Sequence, residues 1–174
     1  MSDKKIKKVF IQGAISPQKI ADSISKHQSK TKIGAHSIFL GQVRADIVDG
    51  KTVKAIDYSA YEEMAEKEMN KIRELAFSNF ELTCAHIYHS LGIINTGHVC
   101  LFIFTSSPHR KGAIDANKYL LDAIKTKVPI FGKELFEDEN FVNLLRAESL
   151  STMPKYLAEQ IKLKGGSDLY DHTS

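Results

Sequence analysis

Cations collect in this sequence where elements of secondary structure should end. The stretch "SSPHRKGA", Ser106 to Ala113, closes an apolar run with small polar residues and then opens a helix with His109, Arg110 and Lys111. Cations in a first helical turn oppose the macrodipole. That cost is offset if those side chains, with the open amides of the helix N-terminus, face a phosphate or another anion. "GQVR", Gly41 to Arg44, ends another apolar run on an arginine, whose planar guanidinium fork can grip a phosphate or carboxylate through two parallel hydrogen bonds. "AIKTKVPIFGKEL", Ala123 to Leu135, sets Lys125, Lys127 and Lys133 around Pro129 and Gly132. Taken singly, each stretch also fits a solvated helix end or strand end, where lysines complement a C-terminal dipole. Their shared placement at element ends, with few acids close in sequence, argues for an anion pocket built from Arg44, His109, Arg110 and the lysines of the last stretch.

Other chemistries find less support. His86, His89 and His98 lie near Cys84 and Cys100, but strand alternation puts His86 and His89 on opposite faces, and hairpin pairing sets His98 away from His86. They read as core or interface residues, and no metal site is expected. The two cysteines form no CxxC and suggest no disulfide framework. Neither a GxSxG elbow, a GxxxxGK[ST] loop nor a GxGxxG fingerprint occurs, so no nucleophilic serine, nucleotide or other cofactor is indicated.

The elements that must position these cations follow from pattern. "KKVFIQGAI" reads as a strand, and Ser16 and Pro17 as the N-cap and first position of a short helix. "GAHSIFLGQVR" and "TVKAIDYSAY" read as a hairpin turning at Asp49-Gly50. Glu62 to Asn79 carries Ala65, Met69, Ile72 and Ala76 at helical spacing. "ELTCAHIYHSLG" and "GHVCLFIFTSS" form a second hairpin around "GIINTG", and "HRKGAIDANKYLLDAIKTK" is a second long helix with Ala113, Ala116, Leu120 and Ile124 on one face. "VPIFGKELF" reads as an edge strand or a bulge because of its proline and Gly132. "FVNLLRAES" fits helix or strand, and Thr152 with Pro154 opens a terminal helix. Two hairpins that each adjoin a long helix make an α+β domain with a mostly antiparallel sheet.

Composition agrees with one such domain. The 174 residues are 43% hydrophobic and 26% charged, enough for a single core, expected over residues 1–164 with a flexible tail at 165–174. A net charge of +3 spread along the chain gives no case for nucleic acid. No apolar run spans a membrane and "MSDKKIKKVF" lacks the apolar region of a signal peptide, so a cytoplasmic protein is expected.

Taken together and in order, "GAHSIFLGQVR", "IDYSAYEEMA" and "HIYHSLGIINTGHVCLFIFTSSPHRKGAIDANKYLLDAIKTKVPIFGKE" resemble the large, catalytic subunit family of molybdopterin synthase. The resemblance runs from Gly34 to Glu134. It implies an α/β-hammerhead fold and a homodimer flanked by two copies of a small ubiquitin-like sulfur-carrier subunit, which inserts a C-terminal diglycine thiocarboxylate. The implied reaction transfers sulfur to cyclic pyranopterin monophosphate and forms the molybdopterin dithiolene. The sulfur arrives on the partner, so no cysteine nucleophile is required. By the same resemblance, Arg44, His109 and Arg110 bind substrate and Lys125 is catalytic. A second family lysine, three residues beyond the proline, is here Gly132, with Lys133 one position later; a bulge at Gly132 would let Lys133 replace it. Arg146 is a further substrate-binding candidate. The alternative is a non-catalytic dimeric module that binds a phosphorylated ligand or a protein tail through the same basic pocket.

Overall fold

The computed structural model of the chain describes residues 7–137. Arg146, the ambiguous "FVNLLRAES" segment, the terminal helix and the tail lie outside the described residues. Ten elements follow one another: β1 (Phe10–Gln12), α1 (Pro17–Ser25), β2 (Ala35–Gln42), β3 (Ile47–Val48), β4 (Lys51–Ala60), α2 (Glu62–Asn79), β5 (Cys84–Asn95), β6 (Val99–Ser107), α3 (Arg110–Lys127) and β7 (Ile130–Phe136).

The helices begin where local chemistry places them. Ser16 caps α1 by accepting from the Lys19 amide at 3.2 Å, with Pro17 in the first turn, so one orphan donor is satisfied and the proline loses no hydrogen bond. In α2, Glu62 and Glu63 occupy the first turn and Ala65, Met69, Ile72 and Ala76 are all buried. This is the expected apolar stripe. In α3 the buried set is Ala113, Ala116, Asn117, Leu120, Ala123 and Ile124.

The sheet is α+β and mostly antiparallel, in the order β2-β6-β5-β4-β3, with β7 on β4 and the short β1 parallel to β5. Its hairpins differ from the sequence expectation in two ways. The turn at Asp49-Gly50 forms, with φ of 50° and 76°, the left-handed pair that a tight hairpin requires. However, it joins β4 to the two-residue β3, while β2 crosses to pair with β6 from Ala35↔Ser107 to Gln42↔Val99. Pairing with β6 puts Phe39 beside the core, in a register set by long-range burial. The second hairpin pairs β5 with β6 as expected, yet β5 continues through "GIIN" to Asn95 because β4 adds a ladder to Gly92–Asn95.

Helices α2 and α3 cover one face, where Met69, Ile72, Leu120 and Ile124 pack on Ile87, Leu101 and Ile103. On the other face α1 brings Ile20 against Phe102, Phe104 and Tyr88. Each such fully buried side chain contributes about 1.5–3 kcal/mol relative to exposure. Two polar side chains fix how α3 lies along the sheet. Thr105 Oγ1 donates to the Ala113 carbonyl at 2.7 Å, and Asn117 Nδ2 donates to the carbonyls of Ser37 (2.9 Å) and Ile103 (3.3 Å). The substitution Asn117→Ala should lower unfolding free energy by about 1–3 kcal/mol in denaturant titrations, with the circular dichroism of the native state retained.

Candidate active site

The register of β2, β6 and α3 sorts the predicted cations into two groups. Arg44 follows the end of β2 that lies against Val99, whereas His109 and Arg110 follow Ser107 at the far end of β6. Eight strand steps separate those ends, about 26 Å at 3.3 Å per residue. Helix α3 then runs back along β6, with Ala113 against Thr105 and Asn117 against Ile103. Lys125, about 22 Å along α3 from Arg110 at 1.5 Å per residue, therefore returns to the Arg44 end. Within one chain, Arg44 and Lys125 share one end, and His109 with Arg110 occupy the other.

At the Arg44 end the backbone is pinned to the β5–β6 turn, since the Val43 amide donates to His98 and the Gly97 amide donates to Val43. The guanidinium projects outward and pairs with Asp46 at 2.9 Å, four-fifths exposed. Such a pair contributes about 0–1 kcal/mol, so a ligand anion can exchange for Asp46 cheaply. At the other end His109 caps α3 through an extended backbone without a side-chain cap bond, and Arg110 is exposed beside it. His109 and Arg110 are thus both exposed at the start of α3.

Within electrostatic range of Lys125 lies His89, which the sequence pattern marks as a core or interface residue. His89 is 3% exposed, and its Nδ1 lies 2.8 Å from the Ser90 carbonyl. A carbonyl only accepts, so Nδ1 carries the proton and Nε2 keeps a lone pair. Burial is the main force holding His89 below the usual histidine range, and the Lys125 charge adds to it, while the Ser90 bond opposes both. The Tyr58 ring sits edge-on to His89 with centroids 5.0 Å apart, and its hydroxyl donates to Cys100 Sγ at 3.4 Å. Burial, followed by that bond to Cys100, pushes the Tyr58 phenol well above its ordinary value, so it stays a donor. The available sequence signal for this set was the short "DYSAY" run together with the odd-numbered side of β5.

Lys133 is not brought to this group. β7 pairs regularly with β4 through Tyr58↔Gly132 and Asp57↔Lys133, and the register shift falls between Val53 and Ala55 instead of at Gly132. Directly opposed residues share a face and successive residues alternate. Lys133 therefore stands with Asp57, whose carboxyl is raised by burial and drawn back down by the Lys133 charge. Gly132 faces Tyr58, and a Cβ there would lie 3.0 Å from Ile56 Cγ2 and 3.1 Å from Tyr58 Cε1. The bulge that would turn Lys133 inward is absent.

A family model described as "MoaE protein" matches residues 11–127. The chain belongs to the MoaE protein family. Among MoaE relatives, the molybdopterin synthase catalytic subunit of Bacillus subtilis is 38% identical over 117 residues, covering 67% of this chain and 74% of the relative. That of Pyrococcus abyssi is 34% identical over 113 residues, covering 65% and 76%. The Drosophila sechellia catalytic subunit is 42% identical over 108 residues, which is 62% of this chain but 29% of that longer relative. The crystal structure of molybdopterin synthase from Staphylococcus aureus superposes with a TM-score of 0.64 at 30% identity, over 75% of this chain and 91% of that one. A complex of subunits 1 and 2 of molybdopterin-converting factor from Helicobacter pylori gives a TM-score of 0.63 at 20% identity, over 75% and 90%, and shares the fold. Among the described residues of this MoaE chain, no helix is long and apolar enough to cross a membrane.

Because the folded state holds His89 neutral, the unfolded state binds the extra proton first. Its contribution to stability is complete above pH 6.5 and is lost as pH falls below that value. His89→Gln should flatten this part of the curve of unfolding free energy against pH. In NMR titration the His89 midpoint should move upward in Lys125→Met.

Proposed function

We propose that this chain is the large subunit of a molybdopterin synthase, a sulfurtransferase that moves sulfur from the thiocarboxylated C-terminus of a small carrier subunit to cyclic pyranopterin monophosphate in the cytoplasm. The observation that carries the reading is Lys125, held at the end of α3 in electrostatic range of a buried neutral histidine, His89. Lys125 stabilises the oxyanion that develops as the carrier's acyl carbon is attacked, or shuttles the accompanying proton. Arg44, with a weak intramolecular partner, and the His109–Arg110 pair at an uncapped helix start take the substrate phosphate. Lys133 is assigned to Asp57 and not to catalysis; Arg146 remains a proposed substrate contact.

Because the Arg44 and His109 groups lie at opposite ends of one chain, we further propose that a complete site draws Arg44 and Lys125 from one protomer and His109 and Arg110 from its partner. Support comes from β2, which ends the sheet order and has Ile38 and Leu40 exposed at 39% and 42%. A two-fold axis across such an edge lays the strands antiparallel, bringing the Gln42 end of one copy to the Ala35 end of the other.

The test is turnover by the full-length protein with thiocarboxylated carrier and pyranopterin substrate. Dithiolene product is expected, and Lys125→Ala should reduce its rate by roughly 10²–10³-fold while Lys133→Ala leaves it within a few-fold. Carrier and substrate binding without product would instead support the non-catalytic module. Mixing inactive Arg44→Ala with inactive His109→Ala protein should recover about a quarter of wild-type activity, since half the dimers are mixed and each carries one intact site. No recovery from freely exchanging dimers would reject the shared site.

A further inference from the structure

On the α1 face of the sheet three side chains converge that neither sulfur transfer nor the apolar core requires. His27 follows the end of α1, and Cys84 and His86 are alternate residues of β5, so they share a face. Each presents one ligand atom, and the three atoms lie within 4.8 Å of one another. His27 is 6% and Cys84 7% exposed. Sequence alternation had separated His86 from His89 and so removed the histidines of β5 from consideration as a set. It carried no sign that His27, 59 residues from His86, would complete one.

The geometry is that of a half-built coordination sphere. His27 Nδ1 lies 2.6 Å from the Ser23 carbonyl; the carbonyl only accepts, so the ring is protonated on Nδ1 and aims a bare Nε2 into the cluster. This is the backbone contact that orients metal-binding histidines and sets their tautomer. The two Nε2 atoms of His27 and His86 stand 3.3 Å apart. Two nitrogens bound at 2.0–2.1 Å to one tetrahedral ion are separated by about 3.3 Å. Cys84 Sγ accepts from Lys30 Nζ at 2.8 Å, so the ammonium occupies the sulfur lone pairs that an ion would use and must swing away. His36, with Nδ1 held by Ser106 Oγ at 2.8 Å, packs beside His27 without joining the ligand set. A groove of about 410 Å³, lined by Ser16, Lys19, Asp22, His27, His86 and Tyr88, gives access from solvent.

We propose that His27, Cys84 and His86 bind a single divalent transition-metal ion, zinc by the preference of a two-imidazole, one-thiolate donor set, with the fourth position open to the groove. Binding forms two Nε2–metal bonds and one Sγ–metal bond and releases the thiol proton to solvent. The site lies apart from Lys125, and its test does not depend on sulfur transfer.

The full chain, stripped with chelator and titrated with Co²⁺ alone, should take up one ion per chain. The visible bands of a tetrahedral site and a thiolate-to-cobalt charge-transfer band should appear, and added Zn²⁺ should abolish both. Cys84→Ser should remove the charge-transfer band, and His27→Gln should weaken binding by roughly tenfold or more, the loss that even an outer-shell change causes. Circular dichroism checks that each variant is folded, and His86→Asn serves where one is not. Absence of the charge-transfer band in the wild type, or cobalt affinity unchanged in folded variants, overturns the proposal.

Discussion

The fastening of α3 to the sheet is the constraint on which the site arrangement rests. Thr105 and Asn117 bind α3 and the neighbouring strands through buried hydrogen bonds, and Leu120 and Ile124 bury their side chains in the adjoining core. A buried polar contact tolerates little sliding, because a shifted register leaves a donor unpaired in a dry environment. With that register set, a helix of 18 residues carries its first-turn cations to one end of the molecule and its last-turn lysine to the other. The spread of functional groups is thus a consequence of helix length.

A second register, that of β7 on β4, decides which face each side chain meets. Tyr58 stands opposite Gly132 and Asp57 opposite Lys133. The one-residue offset between the family's lysine position and Lys133 therefore becomes a change of face, and with it a change of partner. Near Lys125 the environment is built mainly by burial: His89 is kept neutral and Tyr58 is kept protonated. Lys125 itself is exposed, so its charge acts at full strength on developing negative charge only where a bound ligand displaces water around it.

Much of the fold was legible in the sequence because it is local. Helix α2 occupies the residues its apolar spacing marked, Ser16 and Pro17 open α1, and Asp49-Gly50 turns a hairpin. The partner strand of that hairpin is not legible locally, since β3 and β2 both precede the turn and only long-range burial selects between them. The candidate cations were legible as types in suggestive places. Their grouping was not, because Arg44 and His109 look equivalent along the chain and differ only in which end of β6 they adjoin.

The sequence by itself determined the elements, the α+β class and, through its ordered motifs, the resemblance to a sulfur-transfer family. These follow from spacing, capping and turn chemistry, which act over a few residues. Tertiary structure alone decided that β2 pairs with β6, that Lys133 stands with Asp57, that Lys125 comes within electrostatic range of His89 and Tyr58 meets His89, and that His27 meets Cys84 and His86. Each of those outcomes depends on strand register or on contact between distant segments. A one-residue change of register reverses the face of every side chain while leaving local propensities unaltered.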